Sequence, residues 1–290
     1  MEVKNDLITE ENLPDDDKQA ISYVDVLRTD GTVVCMPLDS YVAGVVLAEM
    51  PASFEYEALK AQSVASRTYA LKRQQGNKHA DADVCTKASC CQAYLDVDTF
   101  LTRGGTKEDF DRVFDAVAAT TDYVLTYDGC LIEATYFSNS GGMTEDAVSV
   151  WGTEVPYLVA QESPGEEFAE KYIQTVSISE QELLQNLGIK GCESVVLGDT
   201  THTPGGGVDT ITICGQTFTG LQIRQMLQLQ STLFSMTRKD GSVTITVKGY
   251  GHRVGMSQYG AEAMALQGSD YRQILEYYYP GTQLTGVTTH

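Results

Sequence analysis

Four side chains that can bind a metal or act as nucleophiles are crowded into one short segment of the chain. Residues 79–94 read HADADVCTKASCCQAY and contain His79, Cys85, Cys90 and Cys91. Five residues separate His79 from Cys85, and five separate Cys85 from Cys91. The segment lacks the C-x-x-C pairs of a structural zinc finger, while three ligands would leave an open position, as in a catalytic or accessory zinc site. Spacing alone therefore leaves two interpretations, a zinc loop and a cluster of reduced thiols.

The cysteine content of the whole chain limits the disulfide interpretation of that segment. Seven cysteines in 290 residues are too sparse for a small secreted disulfide scaffold. Because the number is odd, at least one thiol stays unpaired within the chain, binds a metal or pairs with another molecule. The sequence does not show whether the four remaining cysteines, Cys35, Cys130, Cys192 and Cys214, form disulfides.

A single glutamate, Glu49, follows the apolar run VAGVVLA. A solvated position at the end of a helix is the ordinary interpretation of such a residue. A carboxyl group desolvated among Val45, Val46, Leu47 and Met50 would instead have a raised pKa, which suits the general acid of glycosidic-bond cleavage. The residues by themselves leave both interpretations open.

Helices and strands must position these groups, and the apolar pattern predicts both kinds interleaved along the chain. A strand-like stretch covers residues 21–36, and Asp39 or Ser40 can cap a short helix that Pro51 ends. The next segment places alanines at helical spacing and stops at Gly76, which predicts a second helix with a small-residue face. Downstream we predict a helix and a strand in 108–129, and a strand that runs into a polar, glycine-terminated turn in 130–142. Further on we predict helices at 180–187, 220–229 and 261–267, and strands at 208–214 and 242–249. Without repeats or a regular βαβ winding, the pattern predicts an α+β fold, irregular and not doubly wound.

Charge and composition exclude some classes of function. Forty acidic residues against twenty basic ones give a formal charge of −20, the wrong sign for binding nucleic acid or an anionic membrane surface. With no apolar run of about 18 residues and no charged-plus-apolar amino terminus, the sequence predicts neither a membrane span nor a signal peptide. Residues 1–18 are polar and acidic, and we expect a flexible lead or the stub of a tether whose membrane anchor is absent. Residues 19–290 then form one large domain or two lobes.

Three stretches, in order along the chain, resemble one known family. They are AEMPASFEYEALKAQSVASRTYAL at residues 48–71, YFSNSGGMTEDAVSVWGTEVPYL at 136–158 and GYGHRVGMSQYGAEAMALQG at 249–268, with CQAY between the first two. On these motifs the chain resembles the stage II sporulation protein D family over nearly all of residues 20–285. The resemblance implies a lytic transglycosylase of the sporulation septum, acting on peptidoglycan glycan strands stripped of their stem peptides.

The same resemblance implies catalytic and metal-binding roles. Glu49 aligns with the catalytic glutamate of the A-E-M-P motif, which protonates the leaving oxygen O4. As a carboxylate it then takes the proton of the muramic acid 6-hydroxyl while that oxygen attacks C1, so the product is a 1,6-anhydro sugar. His79, Cys85 and Cys91 align with the zinc ligands of the clostridial members, and Cys90 departs from their pattern. The zinc would be structural or catalytic.

The turn SNSGG and the loop HRVGMSQYG have the composition of a sugar-binding cleft. Tyrosines offer faces for pyranose rings, hydroxyl and amide groups offer hydrogen bonds, and glycines let the backbone come close. The predicted substrate-binding residues are Arg67, Tyr136, Ser138, Ser140, His252, Gly255, Ser257, Gln258 and Tyr259. Arg67 is included as a cation that steers the muramyl lactyl carboxylate or holds Glu49 in place, and a helix-surface guanidinium is its alternative. We expect Trp151 and residues 277–279 to pack in the core or at the rim, with stacking on sugar rings as the alternative.

Two other functions fit parts of the sequence. One branch of the family assists an amidase, so the first alternative is a non-catalytic murein-binding enhancer. The second is a zinc amidase or peptidase, which the absence of an H-E-x-x-H motif disfavours. The resemblance also implies an amidase partner that clears the stem peptides and membrane-anchoring partner proteins. It places the full-length protein outside the cytoplasm, anchored to the membrane and facing the septal space between mother cell and forespore.

Overall fold

Short helices and short strands interleave along the chain in the computed structural model, which describes residues 22–76 and 78–286. Their mixture in several small sheets confirms the predicted α+β class. The acidic lead predicted at residues 1–18 lies outside the described residues. Within the described ranges, no helix combines the length and the apolar character needed to cross a bilayer.

The elements follow one another in an irregular order. The chain begins with β1 (Tyr23–Leu27), β2 (Val33–Pro37), α1 (Leu38–Glu49), α2 (Tyr56–Gln74), β3 (Val84–Cys85), α3 (Val97–Thr102), α4 (Lys107–Ala118), β4 (Tyr123–Tyr127), β5 (Cys130–Leu131), β6 (Tyr136–Phe137) and α5 (Ala147–Trp151). It continues with β7 (Ile173–Ser179), α6 (Glu180–Asn186), β8 (Leu197–His202), β9 (Val208–Ile213), β10 (Gln216–Thr219), α7 (Gly220–Met226), β11 (Phe234–Lys239), β12 (Ser242–Lys248), β13 (Met256–Ser257), α8 (Gln258–Leu266), α9 (Tyr271–Tyr278) and β14 (Gln283–Gly286). The predicted helices and strands downstream of residue 142 are confirmed, with ends shifted by a few residues.

The chain divides into two compact units. The first consists of Met1–Ala134 together with Thr282–His290, and the second of Thr135–Gly281. β14 belongs to the first unit because it pairs with β4, in a sheet ordered β14-β4-β5. The first unit therefore contains Glu49 and the cysteine segment, whereas the second contains both predicted sugar-binding loops.

Three helices, α1, α2 and α4, pack against one another in the first unit. The predicted small-residue face of α2 is confirmed, because Ala58, Ala61 and Ala65 are fully buried and small side chains let helices approach closely. The Thr68 hydroxyl on the same helix accepts the N–H of Leu125 in β4 at 2.9 Å. Packing on α2 and α4 thus fixes α1, the helix that ends in Glu49.

The strand-like stretch predicted at residues 21–36 consists of two antiparallel strands, β1 and β2. In the turn between them, the Asp30 carboxylate accepts the N–H and the hydroxyl of Thr32 at 2.9 and 2.7 Å. Gly31 follows Asp30 with a φ of +89°, which glycine adopts at little cost. The prediction of strand structure is confirmed, but it did not include this polar turn, because the apolar pattern continues on both sides of it. β3 adds to β1 in parallel and brings Cys85 into the sheet.

Two three-stranded antiparallel sheets, ordered β11-β12-β7 and β10-β9-β8, contain most of the strands described in the second unit. The alternating pattern SVTITVKG places Val243, Ile245 and Val247 of β12 in the core, as expected for a strand with one buried face. Leu183 of α6 and Ile223 of α7 join the same cluster. The second unit therefore has a hydrophobic core of its own.

A disulfide joins Cys192 to Cys214 and packs against the core of the second unit. Cys35 and Cys130, whose pairing the sequence also left open, are exposed free thiols in the first unit. The disulfide and the cysteine segment of residues 79–94 consequently belong to different units.

The second unit brings together the two polar motifs assigned to sugar binding. The strand predicted ahead of the SNSGG turn is divided into the short strands β5 and β6, because the chain leaves the first unit after Ala134. β6 pairs in parallel with β13, and Asn139 forms an antiparallel bridge with Tyr250. These pairings place the SNSGG turn beside the HRVGMSQYG loop.

Candidate active site and metal centre

Glu49 is the last residue of α1, and its side chain is half-buried. Met50 leaves the helix in an extended conformation while its N–H still bonds the Val46 carbonyl at 2.9 Å. The Oε1 atom of Glu49 accepts the N–H of Ala93 at 2.9 Å. A main-chain donor therefore orients the carboxyl group that the sequence predicts as the general acid.

The CQAYL segment that supplies this donor lies against α1. The Tyr41 hydroxyl donates to Gln92 Oε1 at 3.2 Å, and the rings of Tyr41 and Tyr94 stack with their centroids 5.8 Å apart. The Leu95 N–H donates to the Gly44 carbonyl at 2.9 Å, and a Cβ at Gly44 would overlap the Tyr94 ring. Sequence reasoning gave no role to Gly44 or to Gln92 of the CQAY motif, because a glycine in an apolar run and a single glutamine do not indicate a contact by themselves.

The four side chains of the cysteine segment come together in one group. Cys85 is buried in β3, and the N–H groups of both Cys90 and Cys91 bond the Lys87 carbonyl at 2.9 Å. One ligand atom from each of Cys85, Cys90, Cys91 and His79 lies within 4.8 Å of all the others. His79 Nε2 is 3.3 Å from Cys91 Sγ and 3.9 Å from Cys90 Sγ. The sequence prediction chose Cys91 over its neighbour, whereas the structure places both in what we call the cysteine cluster.

The donors of the cysteine cluster fit a transition metal. Three thiols and one imidazole form a set typical of tetrahedral structural zinc sites. Four donors would close the coordination sphere, unlike the open three-ligand site expected from the spacing. Burial raises the pKa of the Cys91 thiol to about 11. At Cys90 burial also acts to raise the pKa, but a hydrogen bond with Cys85 and the charge of Lys78 outweigh it, so the pKa is lowered.

Arg67 lies in the core of the first unit, where its side chain is 1% exposed. Its Nη2 and Nε atoms donate to the Asp39 carboxylate at 3.0 and 3.1 Å, and further bonds reach the carbonyls of Thr120 at 2.7 Å and Val117 at 3.1 Å. Asp39 is therefore an ion-pair partner in the first turn of α1, and the residue before this helix is Pro37, which corrects the predicted cap. The predicted contact of Arg67 with a lactyl carboxylate is likewise corrected, because protein acceptors enclose the guanidinium.

A buried carboxylate that the sequence did not single out organises the sugar-binding loops. Glu166 is fully buried and accepts the N–H and hydroxyl of Ser140 at 2.6 and 3.0 Å, together with the hydroxyl of Ser163. Ser257, which caps α8 by accepting the Gly260 N–H at 3.2 Å, also bonds Glu166. Burial raises the pKa of Glu166, although these hydrogen bonds oppose the rise. Ser140 and Ser257, predicted to bind sugar, are therefore committed to an internal network.

A buried ion pair links the same two loops. Arg253 is 0% exposed and Glu145 is 1% exposed, and Arg253 Nη1 lies 3.3 Å from Glu145 Oε1. Arg253 also donates to the carbonyls of Ser140 at 2.9 Å and Met143 at 2.8 Å, while Glu145 Oε1 accepts the Gly207 N–H at 3.0 Å. The HRVG motif marked this loop, but the role of Arg253 depends on a partner 108 residues away in sequence.

The other predicted cleft residues differ in their exposure. Gly255 has a φ of +83°, and a Cβ there would overlap the Thr135 carbonyl. The close approach of these two chain segments therefore requires glycine at this position. Gln258 is 4% exposed, so its side chain does not line a surface cleft. Tyr278 and Tyr279 are buried, as expected for core packing. The half-buried members of the predicted cleft are Tyr136, Ser138, His252 and Tyr259.

His252 is a neutral residue that packs between aromatic rings. Burial, followed by the charge of Arg224, lowers its pKa to about 4, so the imidazole is uncharged at neutral pH. Its Nδ1 atom accepts the N–H of Val254 at 3.1 Å, and its ring centroid lies 5.7 Å from that of Phe137 and 5.4 Å from that of Trp151. Trp151 itself is 47% exposed and belongs to the surface.

Comparison with known proteins identifies a family model and relatives that match this chain. The family model described as Stage II sporulation protein matches residues 28–127, which include Glu49 and the whole cysteine cluster. Stage II sporulation protein D of Bacillus subtilis (strain 168) is 39% identical over 269 residues, or 90% of this chain and 78% of that protein. Stage II sporulation protein D of Bacillus amyloliquefaciens is 37% identical over 275 residues, or 92% of this chain and 80% of that protein.

A third relative has a different name. The amidase enhancer of Bacillus subtilis (strain 168) is 30% identical over 301 residues, which cover 83% of this chain and 40% of the enhancer. The similarity to the two sporulation proteins is higher and extends over most of each of them. The chain therefore belongs to the stage II sporulation protein D family.

Proposed function

We propose that this chain is a lytic transglycosylase that cleaves peptidoglycan glycan strands denuded of their stem peptides during sporulation. The observation that carries the proposal is Glu49, a carboxyl group at the end of α1 that the Ala93 N–H holds at 2.9 Å. One carboxyl group is sufficient for this reaction, because it acts first as an acid and then as a base.

Glu49 is both the proton donor and the proton acceptor of the reaction. In the first step the protonated carboxyl gives its proton to O4 of the leaving sugar while the bond between that oxygen and C1 of muramic acid breaks. The carboxylate then accepts the proton of the muramic acid 6-hydroxyl as O6 bonds C1. The Ala93 N–H stabilises the carboxylate between the two steps. Glu49 ends protonated, no water is consumed, and one product carries a 1,6-anhydro-muramic acid end.

We infer that the metal of the cysteine cluster is zinc and that its role is structural. When bound, it would cross-link His79, Cys85, Cys90 and Cys91 into a closed site, and such a site contributes folding free energy. Ala93, the donor to Glu49, is two residues beyond Cys91 in the sequence. A rigid cluster therefore helps to fix the N–H group that orients the catalytic carboxyl.

The location that we propose is outside the cytoplasm, in the septal space between mother cell and forespore, with the full-length protein anchored to the membrane. The Cys192–Cys214 disulfide supports an oxidising compartment, where such bonds persist. The partners proposed are an amidase that removes the stem peptides and proteins that help to anchor the chain at the membrane.

A non-catalytic murein-binding enhancer of an amidase is the second candidate. It is favoured by the 30% identity to the relative named amidase enhancer. An enhancer needs a surface that binds glycan but no proton transfer. An enhancer therefore does not require the carboxyl group of Glu49, whereas a transglycosylase does.

Mass spectrometry of the products distinguishes these functions. Amidase-treated glycan strands are incubated with the chain in oxygen-labelled water, and Glu49→Gln is run in parallel. A transglycosylase leaves 1,6-anhydro ends, lighter by one water and free of label, and the variant leaves none. Labelled reducing muramic acid ends would show a hydrolase. Uncut strands, together with faster amidase turnover when the chain is added, would show an enhancer.

A further inference from the structure

Two exposed aromatic rings, an exposed lysine and a half-buried arginine lie together on the second unit, mostly outside the residues assigned to the predicted cleft. Trp151 is 47% exposed and Tyr250 is 39% exposed. The Lys171 Nζ atom lies 4.9 Å from the centre of the Tyr250 ring, and the ring of Trp151 contacts that of His252. Arg224 is within electrostatic reach of both Tyr250 and His252. We call these five residues the Trp151 surface.

The backbone gives the Trp151 surface a fixed shape. Gly251 has a φ of +122°, and a Cβ there would lie 2.7 Å from the Phe137 Cβ, so the loop is seated closely on β6. Phe137 packs edge-on against His252, which in turn contacts Trp151. Gly152 ends α5 directly after Trp151 with a φ of +74°. The indole is therefore supported by protein contacts while nearly half of it faces solvent.

The chemistry of this surface complements an anionic sugar polymer. Aromatic side chains offer flat apolar faces on which the C–H groups of pyranose rings pack. Lys171 and Arg224 attract anions, and they stand beside these rings in a chain whose formal charge is −20. Hydrolysis of the stem-peptide amide leaves a lactyl carboxylate on muramic acid. A denuded strand therefore carries a negative charge at each muramic acid where an intact strand carries a neutral amide and a peptide.

We propose that the Trp151 surface binds the denuded glycan strand. Trp151 and Tyr250 stack on sugar rings, and Lys171 and Arg224 pair with the free lactyl carboxylates. The identity of the ligand rests on the proposed function. The inference adds a physical basis for substrate selection, since the ion pairs form only after a stem peptide has been removed.

Trp151 is the sole tryptophan of the chain, so its fluorescence reports directly on the proposed site. The Glu49→Gln chain, which binds without turnover, is titrated with muramic-acid-containing oligosaccharides. One ligand has free lactyl carboxylates, a second has the same carboxylates blocked as methyl amides, and a third is a chitin oligosaccharide of equal length. We expect a change in Trp151 emission with all three ligands and the highest affinity for the free carboxylates, with a preference that weakens as salt is added.

Variants in the same Glu49→Gln background separate the two contributions, with calorimetry as the measurement. Trp151→Ala should weaken binding of every ligand by about tenfold, as for the loss of an aromatic anchor. Lys171→Gln should weaken only the free-carboxylate ligand, by about threefold, the size of one exposed ion pair. Val148→Ala, 48% exposed on the same helix, and Lys239→Gln, an exposed lysine on β11, are the matched controls and should bind normally.

Two results would overturn the inference. One is glycan binding by calorimetry with no change in Trp151 emission, and the other is normal binding by both Trp151→Ala and Lys171→Gln. Failure of the proposed function has a different outcome: strands that stay uncut by the unsubstituted chain but still bind through Trp151. That result would leave the binding surface intact and favour the enhancer. Normal cleavage with Trp151-independent binding would reject the surface alone.

Discussion

The two units of this protein fix their polar loops by different chemistry. In the first unit, the CQAYL segment that orients Glu49 follows directly from the cysteine cluster and docks on α1 through Gly44 and Tyr94. In the second unit, two buried carboxylates, Glu166 and Glu145, hold the SNSGG turn and the HRVGMSQYG loop. The first arrangement depends on thiols that remain reduced or bind a metal, and the second on the protonation state of acids. We therefore expect the units to respond to different perturbations.

The largest effect should come from the carboxyl group of the first unit. Glu49→Gln keeps the shape of the side chain but cannot transfer a proton, and it removes both the acid and the base of the reaction. We expect strand cleavage to fall by more than about 10⁴-fold, beyond the range of a single auxiliary proton carrier. Release of 1,6-anhydro products measures the loss. Glu108→Gln, an exposed glutamate of α4, is the control, and near-normal turnover of Glu49→Gln would remove the catalytic assignment.

Breaking the buried ion pair should destabilise the second unit strongly. Arg253→Met leaves Glu145 as a buried charge without its cation, so the free energy of unfolding should fall by about 3–5 kcal/mol. Urea unfolding followed by Trp151 fluorescence measures this change in the second unit. Arg238→Met removes an ion pair whose arginine is 45% exposed, and should cost about 1 kcal/mol or less. Equal losses in the two variants would show that burial of the Arg253 pair has no special weight.

The cysteine cluster offers a test confined to the first unit. The purified chain should contain about one zinc ion, and Cys90→Ser and Cys91→Ser should each lower zinc affinity by about 100-fold or more, because both sulfurs belong to a four-ligand set. Cleavage should fall in the same variants, since Ala93 loses its support. Metal analysis checks the first expectation, with the exposed Cys35→Ser and Cys130→Ser as controls.

Two outcomes for the cysteine cluster would contradict the four-ligand site. Full zinc affinity in Cys90→Ser with a loss in Cys91→Ser would restore the three-ligand site expected from the spacing. The absence of zinc from the unsubstituted chain would leave a cluster of reduced thiols. Either result would also remove part of the contrast between the two units.

The smallest expected effect is a pH dependence in the second unit. Burial raises the pKa of Glu166 above its ordinary 4.5, so the folded chain binds this proton more tightly than the unfolded chain does. The stability that Glu166 contributes should therefore fall as the pH rises from 4.5 through the raised pKa. Glu166→Gln should flatten that part of the profile and lower the free energy of unfolding by about 1 kcal/mol. Glu167→Gln, its exposed neighbour, should leave the profile unchanged, and an unchanged profile in Glu166→Gln would contradict this explanation.

Local patterns in the sequence predicted the helices well. α2 has the expected small-residue face, and β12 alternates as its pattern requires. The predictions were incomplete where a local pattern does not show where the chain turns or which part of the molecule it packs against next. The 21–36 prediction overlooked the turn at Asp30, and the 130–142 prediction crossed the point where the chain leaves one unit for the other. Zinc as the metal, the catalytic role of Glu49 and the septal location stay predictions.

The sequence by itself determined the α+β class, the motifs that define the family and the position of Glu49 at the end of a helix. These depend on residue types and on spacings within one segment, which chemistry and helical geometry constrain directly. Only the tertiary structure decided that Arg67, Ser140 and Ser257 are internal, that Cys90 joins the cysteine cluster, and that Trp151 is exposed. Burial and pairing depend on partners distant in the chain, as Arg253 and Glu145 illustrate at 108 residues apart. Local sequence does not encode which distant groups will meet, because that is set by the packing of the whole unit.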